Sequence, residues 1–70
     1  MTKVLAHITG TVWKIEKAIG DSVEEGEAVA ILESMKMEMP VEAPASGIIK
    51  SIDVVEGQPV EEGAVIATIE

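Results

Sequence analysis

Nucleophiles are scarce in this chain. It has no cysteine and no tyrosine, a single histidine (His7), and five lysines with no arginine. One lysine stands apart. Lys36 lies in the run Glu33-Ser34-Met35-Lys36-Met37-Glu38-Met39-Pro40, which holds every methionine but the first. A lysine in a turn is ordinarily just solvated, and methionines near it are ordinarily core filler. A turn in so small a domain cannot bury two methionines around a charge, however, so the arrangement reads as a presented handle. An exposed lysine amine, with a pKa of about 10.4, is protonated at neutral pH and a poor nucleophile. Chemistry at Lys36 therefore needs a separate enzyme that deprotonates the amine and supplies an activated acyl group. The product is an uncharged amide carrying a group on a long flexible arm. Met35 and Met37, as soft and adaptable apolar surface, suit docking into such a partner.

The other polar groups carry no comparable pattern. Glu24-Glu25 and Glu61-Glu62 are paired carboxylates, but they recur in duplicated turns and read as solvated turn residues. A calcium site would need more oxygen ligands at loop spacing than these turns supply. The absence of cysteine removes disulfides and thiolate metal sites together, and no glycine-rich phosphate loop is present. No catalytic residue and no metal-ligand set is expected, and His7 reads as structural or solvated.

The elements that must hold Lys36 follow from an internal repeat. Sliding the chain by 37 positions lays residues 4–33 on 41–70 without a gap, and 11 of the 30 aligned pairs are identical. They include Gly10/Gly47, Gly20/Gly57 and the Val-Glu-Glu-Gly runs at 23–26 and 60–63. Such self-similarity marks one supersecondary unit used twice. Nine valines and nine isoleucines stand against two leucines, a balance that favours strands. Short β-rich runs bounded by glycine turns predict four strands per copy, and prolines at 40 and 44 leave no room there for a helix. One copy cannot bury its apolar face alone; two can cover each other. The expected fold is all-β: a flattened eight-stranded barrel or sandwich of two four-stranded sheets related by a pseudo-two-fold axis. It forms a single domain over 1–70, with a hairpin over 34–40 as the joint between the halves. Lys36 is then at a protruding tip, far from the chain ends. Trp13, whose counterpart is Lys50, is expected half exposed on the barrel surface.

Charge narrows the partners. The formal net charge is −8, which argues against nucleic acid and against anionic membrane surfaces. No apolar run approaches the roughly 18 residues of a membrane span, and no signal-peptide pattern opens the chain. A cytoplasmic location is the expectation.

The residues around Lys36 resemble the modification site of biotinyl domains, usually written around Ala-Met-Lys-Met. The resemblance extends through Gly10-Thr-Val-Trp-Lys-Ile, Gly20-Asp-Ser-Val-Glu-Glu-Gly, Val41-Glu-Ala-Pro-Ala-Ser-Gly and Glu56-Gly-Gln-Pro-Val-Glu-Glu-Gly, nearly the whole chain. It implies the barrel-sandwich hybrid of the biotinyl/lipoyl family, with biotin joined by an amide to Lys36. A biotin protein ligase would attach it through a biotinyl-adenylate, with Met35, Met37, Glu33, Ser34 and Glu38 as recognition residues. The biotin would then take carboxylate at a biotin carboxylase and deliver it at a carboxyltransferase, the chain itself being a non-catalytic carrier. The pattern is departed from at Ser34, where alanine is commoner, and at Ala6-His7, where many members have Ala-Pro. The gapless repeat also leaves no room for the protruding insertion that some biotinyl domains carry in the first half. The alternative is lipoyl attachment to the same lysine, in a 2-oxoacid dehydrogenase-type complex. Lipoyl sites typically read Asp-Lys-Ala, so the flanking methionines favour biotin. A structural module of efflux-pump adaptors is disfavoured, because those lack the lysine and carry a long helical insertion at the joint. The opening methionine, and an end that coincides with the last strand, fit a free-standing subunit better than an excised C-terminal domain; in isolation a monomer is expected, because the two halves already satisfy each other.

Overall fold

In a computed structural model describing residues 1–70, the chain forms eight strands and no helix. They are β1 (Thr2–Leu5), β2 (Gly10–Ile15), β3 (Ser22–Val23), β4 (Ala28–Ser34), β5 (Met37–Glu42), β6 (Gly47–Ile52), β7 (Pro59–Val60) and β8 (Val65–Ile69). Two four-stranded antiparallel sheets result, in the orders β1-β8-β6-β3 and β5-β4-β2-β7. Adding four to each first-half strand number and subtracting four from each second-half one turns one order into the other, so the expected two-fold relation holds. The sheets do not coincide with the repeat copies. Each takes two strands from either copy, and the halves are interlocked rather than stacked.

The hydrogen bonds show the interlock. The Gly26 N–H donates to the Ala43 carbonyl at 2.9 Å, and its repeat equivalent runs from Gly63 to Ala6 at 2.8 Å. Likewise the Gly20 N–H meets the Ile49 carbonyl at 2.8 Å, and Gly57 meets Val12 at 2.7 Å. Even side-chain contacts are duplicated: the Glu25 N–H donates to Ser46 Oγ, and the Glu62 N–H to Thr9 Oγ1. The turns explain four of the glycines. Gly20, Gly26, Gly57 and Gly63 have φ between 88° and 94°, at the third position of turns closed by Asp21→Ala18, Glu27→Glu24, Gln58→Val55 and Ala64→Glu61 N–H to carbonyl bonds. That position needs a left-handed residue, which costs glycine nothing. Gly10 and Gly47 have no positive φ; their reason is close packing, taken up below.

Fifteen residues are buried, all apolar. Fourteen of them form seven repeat pairs: Val4/Val41, Ala6/Ala43, Val12/Ile49, Val23/Val60, Val29/Ile66, Ala30/Ala67 and Leu32/Ile69. The core is thin and aliphatic: the other strands bury single positions, whereas β4 and β8 each bury two residues in a row, Val29-Ala30 and Ile66-Ala67. In β2 the register slips between Val12 and Lys14, so Trp13 sits in a bulge. Its indole is 48% exposed on the outer surface, and Lys50 occupies the matching bulge in β6.

The fifteenth buried residue, Val54, breaks the symmetry. Its counterpart is Lys17, which is hydrogen-bonded to the Glu27 carboxylate, while the counterpart of Glu27 is Ala64, packed against the core. One half thus closes this corner with an ion pair and the other with apolar contact. The hydrogen bond to Glu27 raises the Lys17 pKa above its ordinary 10.5. The bond to Lys17, helped by the Glu24 N–H, lowers Glu27 below its ordinary 4.5. A lowered carboxyl pKa gives stability that is present above 4.5 and is lost as pH falls through the folded value. A raised amine pKa gives stability that is present below 10.5 and is lost as pH rises through the folded value. Transplanting the apolar solution, Lys17→Val with Glu27→Ala, is expected to keep the neutral-pH melting temperature and to remove this acid-side and alkaline-side loss. Glu27→Ala alone should melt lower than the double variant, since Lys17 then loses its partner with only 20% of its side chain exposed. Thermal melts across pH check both, and a double variant that melts below the single one contradicts the argument.

Candidate functional site

β4 and β5 form the hairpin between the repeat copies, paired from Ala28↔Glu42 to Ser34↔Met37. Of the residues 34–40 only Met35 and Lys36 form the turn; the rest are strand. A two-residue hairpin loop needs its central residues at positive φ, which is why Asn-Gly is the usual filling. Here Met35 has φ 51° and Lys36 φ 68°. Side chains other than glycine pay roughly 1–2 kcal/mol each in that region. The turn persists because the ladder below it fixes where the strands end. Backbone strain of this kind collects at functional sites.

The turn aims the side chains outward. Met35 is 93% exposed and Met37 62%, and Lys36 is exposed. Met39, next on the inward side of β5, is half-buried opposite the buried Leu32. Methionine character therefore grades from core filler at Met39 to open surface at Met37 and Met35. Lys36 takes part in neither of the two ion pairs, Lys14–Glu16 and Lys17–Glu27. Its amine is held free at the apex.

Below the apex, Glu33 and Glu38 face each other directly across the strands, and both are exposed. Like charges in that relation are destabilising, so nothing in the folding of the hairpin calls for them. Ser34, opposite Met37, is half-buried beside the start of β2. The hairpin thus brings together Glu33, Ser34, Met35, Lys36, Met37 and Glu38. His7 lies exposed in the loop between β1 and β2. That loop ends at Gly10, beside Ser34, whereas Thr2 of β1 pairs with Ile69 of β8. Both chain ends consequently lie at the end of the barrel opposite Lys36. The feature that residue-by-residue reading misses is the left-handed turn, because neither glycine nor asparagine marks it; the register of the paired repeats is the signal that locates it.

A two-fold barrel of interlocked four-stranded sheets, with an exposed lysine at the apex of the joining hairpin, is the architecture that the resemblance to biotinyl/lipoyl domains implies. Comparison with known proteins agrees: a family model described as "Biotin-requiring enzyme" matches residues 3–69. The biotin/lipoyl attachment protein of Bacillus subtilis is 48% identical over 63 residues, covering 90% of this chain and 86% of that protein. The biotin carboxyl carrier protein of acetyl-CoA carboxylase from Solanum lycopersicum is 40% identical over 60 residues, 86% of each chain. Among solved structures, Kluyveromyces lactis urea carboxylase superposes with a TM-score of 0.93 at 40% identity, over 99% of this chain but 6% of that one. The chain belongs to the biotin/lipoyl-attachment family. It spans most of its two small relatives and a small fraction of the large enzyme.

Proposed function

We propose that Lys36 is the point of covalent attachment for biotin and that the chain is a carboxyl carrier working between a biotin carboxylase and a carboxyltransferase. The observation that carries this is the apex itself: an exposed, unpaired amine on a left-handed two-residue turn, between two exposed methionines. Held there, the Lys36 nitrogen can enter a ligase active site, lose a proton and form the amide by displacing the leaving group of an activated acyl donor. When attached, biotin supplies the carboxylate-carrying chemistry. The chain supplies a rigid base, a reach fixed by the hairpin and a raised effective concentration at its partners. Met35 and Met37 offer apolar contact on either side of the amine. Glu33 and Glu38 form an acidic neck suited to a basic partner surface, where charge complementarity speeds encounter.

The test is mass spectrometry after incubation with a biotin protein ligase, ATP and biotin, beside a Lys36→Ala variant. One biotinyl increment on the wild type and none on the variant is the expected result. A second reading has its own support, since the Bacillus subtilis relative is named for both biotin and lipoyl attachment. In that reading Lys36 bears a lipoyl group for a 2-oxoacid dehydrogenase-type complex. Modification by a lipoyl ligase with none by the biotin ligase would select it. No modification by either, on a folded chain, would defeat both.

A further inference from the structure

We propose that Gly10 is a positioning residue for Lys36, an inference that rests on the attachment reading above. Gly10 opens β2 beside the last residues of β4. A Cβ there would fall 2.5 Å from the Glu33 carbonyl oxygen and 3.4 Å from Ser34 Cβ. The first distance is far inside van der Waals contact and is to backbone, so a side chain at this position must displace one strand or the other. The demand is not for an unusual φ, because Gly10 has none. It is for close approach of two backbones.

The placement gives that approach its consequence. Glu33 and Ser34 are the last residues before the Met35-Lys36 turn, and the turn has no spare residue to absorb a shift. Whatever moves Ser34 moves the root of the Lys36 side chain. On the opposite side of the same contact, β2 is anchored by the Val12 N–H on the Gln58 carbonyl and the Gly57 N–H on the Val12 carbonyl. β7 adds its own pairing, with Gly10 opposite Val60. The contact at Gly10 thus ties the apex to the body of the barrel.

The repeat supplies an internal control. Gly47 stands at the equivalent place in the second half, where a Cβ would meet Ile69 Cγ2 at 2.5 Å and the Glu70 carbonyl oxygen at 2.6 Å. The collision is as severe, but it lies at the end of the barrel away from Lys36. A purely structural role predicts the same outcome for both glycines. A positioning role predicts a difference confined to the modification reaction.

The experiment compares wild type, Gly10→Ala and Gly47→Ala as substrates for the biotin protein ligase. Trimethylamine oxide is present to keep the variants folded, with folding checked by Trp13 fluorescence. Misplacement of a reacting group by about 1 Å costs on the order of 100-fold. Gly10→Ala should therefore lower kcat by about 10- to 100-fold while KM, set by the methionines and the acidic neck, changes little. Gly47→Ala should match wild type. Equal rates for the two variants, whether both normal or both reduced, overturn the proposal and leave the attachment reading intact. So does a Gly10→Ala chain that stays unfolded where Gly47→Ala folds, which would make Gly10 a folding residue. A wild type that the ligase does not modify overturns both.

Discussion

Leu32→Ala leaves the chain largely unfolded at room temperature. Leu32 is fully buried and is among the largest fully buried side chains. Its strand β4 lies between β2 and β5, where it pairs with Val12 and Met39. Truncating a buried leucine to alanine costs about 2–5 kcal/mol, the transfer loss plus the cavity. The sheets cannot easily close over that cavity, because the turn bonds lock the two halves together from both sides. A single core in a domain below roughly 70–80 residues seldom supplies more than about 3–5 kcal/mol. The loss is of the same size as the whole. Ile48→Ala is the contrast: Ile48 is 47% exposed on the outer face of β6, and its truncation should stay within about 0.5 kcal/mol. Urea titrations followed by Trp13 fluorescence measure both. A Leu32→Ala transition as cooperative as wild type, with the unfolding free energy lowered by less than about 1 kcal/mol, would show that the core repacks and that the interlocked halves are softer than argued.

Filling the apex with Asn-Gly, by Met35→Asn with Lys36→Gly, stabilises the fold and abolishes attachment. Both wild-type residues are held at positive φ, at roughly 1–2 kcal/mol each. Asparagine and glycine accept that region, and their pairing is the usual filling of this turn. Glycine's extra freedom in the unfolded chain returns roughly 0.5–1 kcal/mol of the gain. A net increase of about 2 kcal/mol remains, equivalent to a rise of roughly 10 °C in Tm for a domain this size. No buried contact opposes it, since Met35 is 93% exposed and Lys36 makes no ion pair. Met35→Asn alone should capture about half of the gain and keep the lysine. A wild type as stable as the double variant would mean that the apex is not strained, and that its conformation needs another explanation. The expected result has a functional meaning: the hairpin keeps a locally unfavourable turn because the residues that favour it could not present an amine.

The parts that depend on local chemistry and on self-similarity are legible in the amino-acid sequence. Strand content followed from the excess of valine and isoleucine, and the turns at Gly20, Gly26, Gly57 and Gly63 from glycines recurring at fixed offsets. The lysine between methionines was legible because no other residue in the chain offered comparable chemistry, and the gapless repeat placed it at the joint. The half-exposure of Trp13 followed from a repeat counterpart, Lys50, that could not be buried.

Features that depend on partners distant in sequence emerge only once the chain is folded. Each sheet draws strands from both copies, which no pattern of alternation announces, because inward and outward faces read alike whichever copy supplies the neighbour. The left-handed turn at Met35 and Lys36 contradicts local preference; the ladder from Ala28↔Glu42 to Ser34↔Met37 imposes it. The exchange of the Lys17–Glu27 ion pair for Val54 and Ala64 shows only when the two corners are compared in space. Gly10 and Gly47 resemble turn glycines in the sequence, yet their role is to let two backbones touch. A glycine is silent about whether its φ or its missing side chain is needed, and only the neighbouring strand can answer that.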